Sequence, residues 1–138
     1  MAKLIRFGVS LDKELLDKFD RRVRSMRYSS RSEALRDLIR GELVKKQWQD
    51  NREVAGAITL VYDHHRRELV SELIDLQHNF QNLIICNQHI HLDHRNCLEI
   101  IAVKGNPRQV QKLADTLSSV RGVKHGTLSM SSTGRELR

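Results

Sequence analysis

The residues with the most chemical capacity are gathered in "HIHLDHRNCLEI", positions 89–100. Three of the chain's seven histidines and one of its two cysteines fall within nine residues, His89 to Cys97. Imidazole nitrogens and a thiolate form a borderline-soft donor set, suited to Ni, Cu, Zn or Co and wrong for Mg or Ca. His89 and His91 are two apart, which on a strand puts both side chains on one face. A His-x-His pair alone is more often solvated than ligating, so the weight falls on what stands opposite. A three-residue turn, Asp93-His94-Arg95, pairs His91 with Cys97 and His89 with Glu99, the opposed Cβ atoms roughly 4.5–5.5 Å apart. A two-residue turn pairs His91 with Leu98 and splits the set across both faces. Three ligands leave a fourth position. His78, near the end of the preceding helix, is the nearest further donor in sequence, and Glu99 is placed to orient an imidazole from behind. His64, His65, His94 and His125 read as turn or surface residues, and Cys86 as a small buried hydrophobe.

A hairpin needs a scaffold to hold it. The strands "LIICNQHIHL" and "NCLEIIAVKG" are preceded by a strand, "VAGAITLVYD", and a helix, "RRELVSELIDLQHNF", whose Leu69, Leu73, Ile74 and Leu76 face a core. They are followed by a helix, "NPRQVQKLADTLSSV", capped by Asn106 with Pro107 in its first turn, and by a strand, "GVKHGTLSMS". The order βαββαβ is that of a ferredoxin-like or ACT-like domain over residues 53–132. The apolar side of the hairpin, Ile84, Cys86, Ile90 and Leu92 with Leu98, Ile100 and Ala102, is expected against the helices, and the metal donors on the other side. The last six or so residues are expected to fray.

Residues 1–48 have a different character. "LIRFGVSL" alternates, with Ile5, Phe7 and Val9 on one side and Arg6, Gly8 and Ser10 on the other, the pattern of a half-buried strand. Two helices follow. Asp12 is placed to cap the first, whose stripe is Leu11, Leu15, Leu16, Phe19, Val23 and Met26. Ser30 and Glu33 have the spacing of a capping box for the second, whose apolar face is Ala34, Leu35, Leu38, Ile39 and Leu43. About 45 residues of strand-helix-helix are too few for a lone stable domain, and one strand has nothing to pair with. Both deficits vanish if two copies pair their strands antiparallel and intertwine their helices. "QWQDNRE", 47–53, reads as a polar linker to the second domain.

Charge follows the same division. The chain of 138 residues carries +7 overall. Residues 1–50 hold 13 Lys and Arg against 8 Asp and Glu, residues 51–138 hold 11 against 9, and every histidine lies in the second part. There is no apolar run of membrane-spanning length, and "MAKLIRFGVS" is too short and polar for a signal peptide. Two cysteines in such a chain point to a reduced, cytoplasmic setting rather than a disulfide.

The pieces "RFGVSL", "RSEALRDLIR", "QHNF", "HIHLDHRNCLEI" and "RGVKHG" together resemble the NikR family of nickel-responsive transcriptional regulators, over nearly the whole chain. The resemblance implies an α+β chain: an N-terminal ribbon-helix-helix (βαα) DNA-binding domain and a C-terminal ACT-like domain, assembled as a homotetramer, a dimer of dimers. It implies Ni(II), one per subunit, on His89, His91 and Cys97 of one chain and His78 of a neighbour, and a second cation site drawing carboxylates from Glu33 and Asp37. It implies a repressor of a double-stranded DNA operator, not an enzyme; four protein ligands leave no open metal position for water. Two paired strands also fit a major groove on physical grounds. Arg6 can fork onto guanine and Ser10 can contact a base, whereas Gly8, where some relatives carry threonine, has no side chain to do so. Ser29, Ser30 and Arg31 at the second helix's N-terminus can meet phosphate. The competing expectation is a ribbon-helix-helix regulator whose ACT-like domain senses an amino acid or another metal.

Overall fold

A computed structural model describes residues 2–137. The chain divides into two compact units, one ending at Gly41 and the next beginning at Glu42. The boundary falls within a continuous helix.

In the first unit, α1 (Lys13–Ser25) begins where the Asp12 carboxylate accepts the Leu15 N–H at 2.9 Å, the expected N-cap. It ends at Met26, with Arg27 left-handed (φ 61°) and the Tyr28 N–H returning to the Val23 carbonyl at 3.0 Å. α2 (Arg31–Gln49) starts with the Ser30 hydroxyl accepting the Glu33 N–H at 3.2 Å. Only half of the capping box forms, because the Glu33 carboxylate turns to Arg36 instead. The strand expected over residues 4–11 is not paired in the single chain. Residues 2–12 are irregular and exposed, and Leu4, Ile5, Phe7 and Val9 are all more than half exposed. The apolar faces of both helices are open too, with Leu15, Met26, Leu38 and Ile39 about half exposed. The backbone of residues 2–12 is solvated, and the apolar faces of α1 and α2 beside it stay uncovered.

The second unit is built on one antiparallel four-stranded sheet of order β2-β3-β1-β4, from β1 (Val54–Asp63), β2 (Ile84–His91), β3 (Asn96–Gly105) and β4 (Val123–Met130). With α3 (Arg67–Asn79) and α4 (Pro107–Ser118) this is the expected βαββαβ order. The Asn106 side chain accepts from the Arg108 and Gln109 N–H groups, and Pro107 occupies the first turn, where its missing donor costs nothing. Both helices cover one face of the sheet. The core joins Leu69 and Leu73 of α3 and Val110, Leu113 and Leu117 of α4 to Ile58, Leu60 and Tyr62 of β1 and Cys97, Ile101 and Val103 of β3.

Five expectations are corrected here. The helix-covered face of β3 carries Cys97, Glu99, Ile101 and Val103, and it is Leu98, Ile100 and Ala102 that face away, half-buried. A bulge at Ile85 lets Ile84 pair with Val103 on the covered side while Cys86, opposite Ala102, lies on the open side and is exposed. On α3 the buried stripe is Leu69, Leu73 and Gln77, and Ile74 is 58% exposed. α2 continues through Gln49, so the first residues of the expected linker are helical. The described residues after β4, up to Leu137, are tied back to the unit rather than left without contacts. Trp48 donates its indole N–H to the Ser131 carbonyl at 2.8 Å, and the Glu136 carboxylate pairs with Arg52 at 2.6 Å.

Candidate functional site

The β2–β3 hairpin positions the candidate donors. Its turn is the three-residue Asp93–Arg95 connection, closed by the Leu92 N–H on the Asn96 carbonyl at 2.9 Å. The Asp93 carboxylate accepts the N–H groups of Arg95 and Asn96 and the Asn96 side-chain amide. Those bonds, led by Asn96, hold its pKa down at about 2. The resulting register places His91 opposite Cys97 and His89 opposite Glu99, as the turn length requires.

His89, His91, Cys97 and Glu99 lie on the helix-covered face, at its margin. Cys97 is 1% exposed and the His89 side chain 47%. His89 Nδ1 stands 3.9 Å from Cys97 Sγ and 3.3 Å from the Tyr62 hydroxyl, while its Nε2 is 3.7 Å from the Glu99 carboxylate. Glu99 is buried but not orphaned. It accepts the Tyr62 O–H at 2.7 Å, the Gln77 amide at 2.8 Å and the Asn87 amide at 3.2 Å. Asn87 also donates to the Gln77 carbonyl at 3.1 Å, closing a ring of side chains over three elements. Burial, and after it the Glu99 hydrogen bond, pushes the Tyr62 phenol far above its ordinary pKa, so it stays a donor. A buried carboxylate of this kind is tolerable because its lone pairs are used.

Sequence reasoning missed Tyr62, Gln77 and Asn87. Tyr62 lies on the β1 face that pairs with Cys97, and Gln77 is the polar member of an i, i+4 stripe that is otherwise leucine. That polar residue in an apolar stripe was the available signal.

His78 is not brought to the hairpin. It follows Gln77 on α3, is exposed, and in this chain meets none of the other three. Among the described residues, no three of His, Cys, Asp or Glu converge as a metal cage within one chain. His91 instead lies beside His64, ring centroids 4.4 Å apart and the rings tilted by 41°, with His65 and His94 beyond. His64, in the turn after β1, has its pKa lowered by desolvation and then by the other imidazoles. His125 is an exposed β4 residue facing the open side of the sheet.

In the first unit Arg6, Gly8 and Ser10 lie in the exposed N-terminal segment. Ser29 and Ser30 form the turn before α2. Arg31 is held by Asp20 through two bonds of 2.8 and 2.9 Å. Asp37 accepts the Tyr28 O–H at 2.7 Å and pairs with Arg40; Glu33 is turned to Arg36, so both carboxylates have partners within the unit.

Residues 55–131 match the family described as NikR C terminal nickel binding domain, and residues 5–46 match ribbon-helix-helix protein, copG family. A protein of Chlorobium limicola, named as a candidate nickel-responsive regulator, is 59% identical over 97% of this chain and 100% of its own. Similarly named proteins of Syntrophus aciditrophicus and Pyrococcus furiosus are 56% and 52% identical, covering 98% and 97% of this chain and 98% of each relative. An uncharacterised protein of Thermotoga maritima shares the fold alone, with TM-score 0.51 and 17% identity over 56% of this chain and 95% of that one.

Proposed function

This chain belongs to the NikR family of nickel-responsive regulators, which are not enzymes, and on that premise we propose that it is a repressor that holds one Ni(II) per subunit on His89, His91 and Cys97, with His78 supplied by a neighbouring chain of a homotetramer. The observation that carries the reading is the His89–Cys97 approach of 3.9 Å above a buried, fully hydrogen-bonded Glu99. The donor set fits the ion: two imidazoles and a thiolate suit late first-row divalent metals, and nickel among them is chosen by the family. When bound, the ion supplies a cross-link between chains. Glu99 faces Nε2 of His89, which favours the proton there and leaves the Nδ1 lone pair turned toward Cys97. Tyr62 and Gln77 fix that carboxylate, and Gln77 ties the end of α3, where His78 follows, to the hairpin.

Operator DNA is read by the N-terminal segments of two chains paired as a ribbon, with Arg6 and Ser10 toward bases, Gly8 giving only backbone, and Ser29, Ser30 and Arg31 toward phosphate. A pair of strands also covers the apolar surface that one chain leaves open. Glu33 and Asp37 contribute to a second cation site if Arg36, Arg40 and Tyr28 release them. Metal and DNA are linked: whatever affinity DNA gains from metal, metal gains from DNA. A cytoplasmic setting accords with two free thiols, Cys86 and Cys97. The test is a nickel titration of the full chain followed by its thiolate-to-metal absorption and by operator binding. Stoichiometric uptake with a charge-transfer band that Cys97→Ser removes supports the reading; uptake without one contradicts it.

A further inference from the structure

Outside the hairpin, the second unit carries a groove of about 650 Å³ between the last turns of α2 and the length of α4 from Pro107 to Thr116. Its floor is apolar: the Trp48 indole, Pro107 and Met130, the last 51% exposed. The indole is held in place by its N–H bond to Ser131 and rests over Gly56, where a Cβ would stand 3.6 Å from Cζ2. The rim is basic. Arg108 and Lys112 are four residues apart on α4, hence neighbours on one face, and like charges at that spacing repel. Neither has an acidic partner among the described residues. Lys45, across the groove, has only the exposed Glu42 at 3.0 Å. The acid in the lining, Asp115, accepts from the neutral Gln111 amide and leaves the groove cationic.

We propose that this groove binds a small aromatic anion of the nucleoside phosphate class, its base against Trp48 and its phosphate on Arg108 and Lys112. The charge complementarity calls for an anion of two or more charges, which relieves the Arg108–Lys112 repulsion through charge-assisted bonds. The apolar floor calls for a flat ring and disfavours duplex backbone, which offers phosphates without an exposed base face. A base on an aromatic side chain is a favourable contact whatever its identity. The volume falls within the range of small-molecule sites.

Trp48 is the chain's single tryptophan, so its fluorescence reports on the groove alone. ADP titrated into the full-length protein is expected to change that fluorescence saturably, while inorganic phosphate does not. Arg108→Gln with Lys112→Gln is expected to weaken ADP by about tenfold or more, with melting temperature and nickel uptake unchanged because neither residue touches the hairpin. No saturable response to ADP overturns the proposal. So does an equal response to phosphate, which leaves no role for the base, and so does a response to duplex DNA in place of ADP. An unaltered ADP affinity in the folded double variant overturns the assignment of the two cations. None of these outcomes bears on the nickel reading, which has its own test.

Discussion

Replacing Glu99 with glutamine separates what the buried carboxylate does for the fold from what it does for the metal. A glutamine amide can present its oxygen to Gln77 and Asn87 or to Tyr62, but not to both. With the oxygen toward Tyr62, its NH2 meets the two amide donors and leaves a buried donor unpaired, at about 1–3 kcal/mol. With the oxygen toward Gln77 and Asn87, both those bonds survive, and Tyr62 can accept from the new NH2 while turning its own O–H toward His89 Nδ1, 3.3 Å away. The second arrangement wins. The three contacts then lose their charge-assisted part, about 1 kcal/mol each, against which the variant escapes the several kcal/mol needed to desolvate a carboxylate. The fold should therefore change by no more than about 1–2 kcal/mol in either direction. Nickel affinity should fall by about 10–100-fold, the usual loss when an outer partner of a metal-bound histidine is removed. Two causes act together: the charge behind His89 is gone, and the Tyr62 proton now occupies the Nδ1 lone pair. Competition against a chelator of known affinity measures the first quantity, and thermal unfolding of the metal-free protein the second. Unchanged nickel affinity in a variant of unchanged stability would refute the role given to Glu99.

Cys97→Ser is expected to weaken nickel by orders of magnitude and Cys86→Ser hardly at all, because the two lie on opposite faces of the sheet; equal losses in folded proteins, read by the same competition, contradict this. Arg6→Ala should cost about 1–3 kcal/mol of operator affinity and abolish preference over random sequence, leaving nickel uptake intact; retained discrimination in a gel-shift titration means that another segment reads the bases. Residues 1–50 alone should sediment as a dimer that binds DNA weakly and ignores nickel, since the N-terminal segment and the open faces of α1 and α2 need a second copy; a folded monomer excludes the paired ribbon.

The second unit was legible in detail because its signals are local. Asn106 with Pro107 announced α4, β1 and β3 have the bounds that alternation and turn residues set, and the Asp93–Arg95 turn length settled the hairpin register. The face was not legible. A pattern of Leu98, Ile100 and Ala102 against Cys97 and Glu99 suggests that the apolar set goes inward, yet the helices cover the other set. Glu99 can be buried because Tyr62 and Gln77 come to it from β1 and α3, and those long-range partners leave no trace in the spacing of β3 itself. The same dependence on distant partners hid the exposure of Cys86, since a bulge at Ile85 shifts parity without any glycine to mark it. The N-terminal segment reads as alternation, yet residues 2–12 are irregular and exposed in the single chain, because nothing within that chain pairs with them.

The central claim, that each nickel joins two chains, is tested most directly by mixing subunits. His78→Ala removes a donor that meets no other member of the set in its own chain, and Cys97→Ala removes one buried in the hairpin. Each variant alone should bind nickel weakly. Once subunit exchange has been demonstrated, mixed assemblies bring an intact hairpin of one chain against an intact His78 of another, and a fraction of high-affinity sites should return, with the thiolate charge-transfer band and metal-dependent operator binding. If exchange is complete and no high-affinity site returns, His78 does not act from a neighbouring chain, and the coupling of metal to DNA must run through another element.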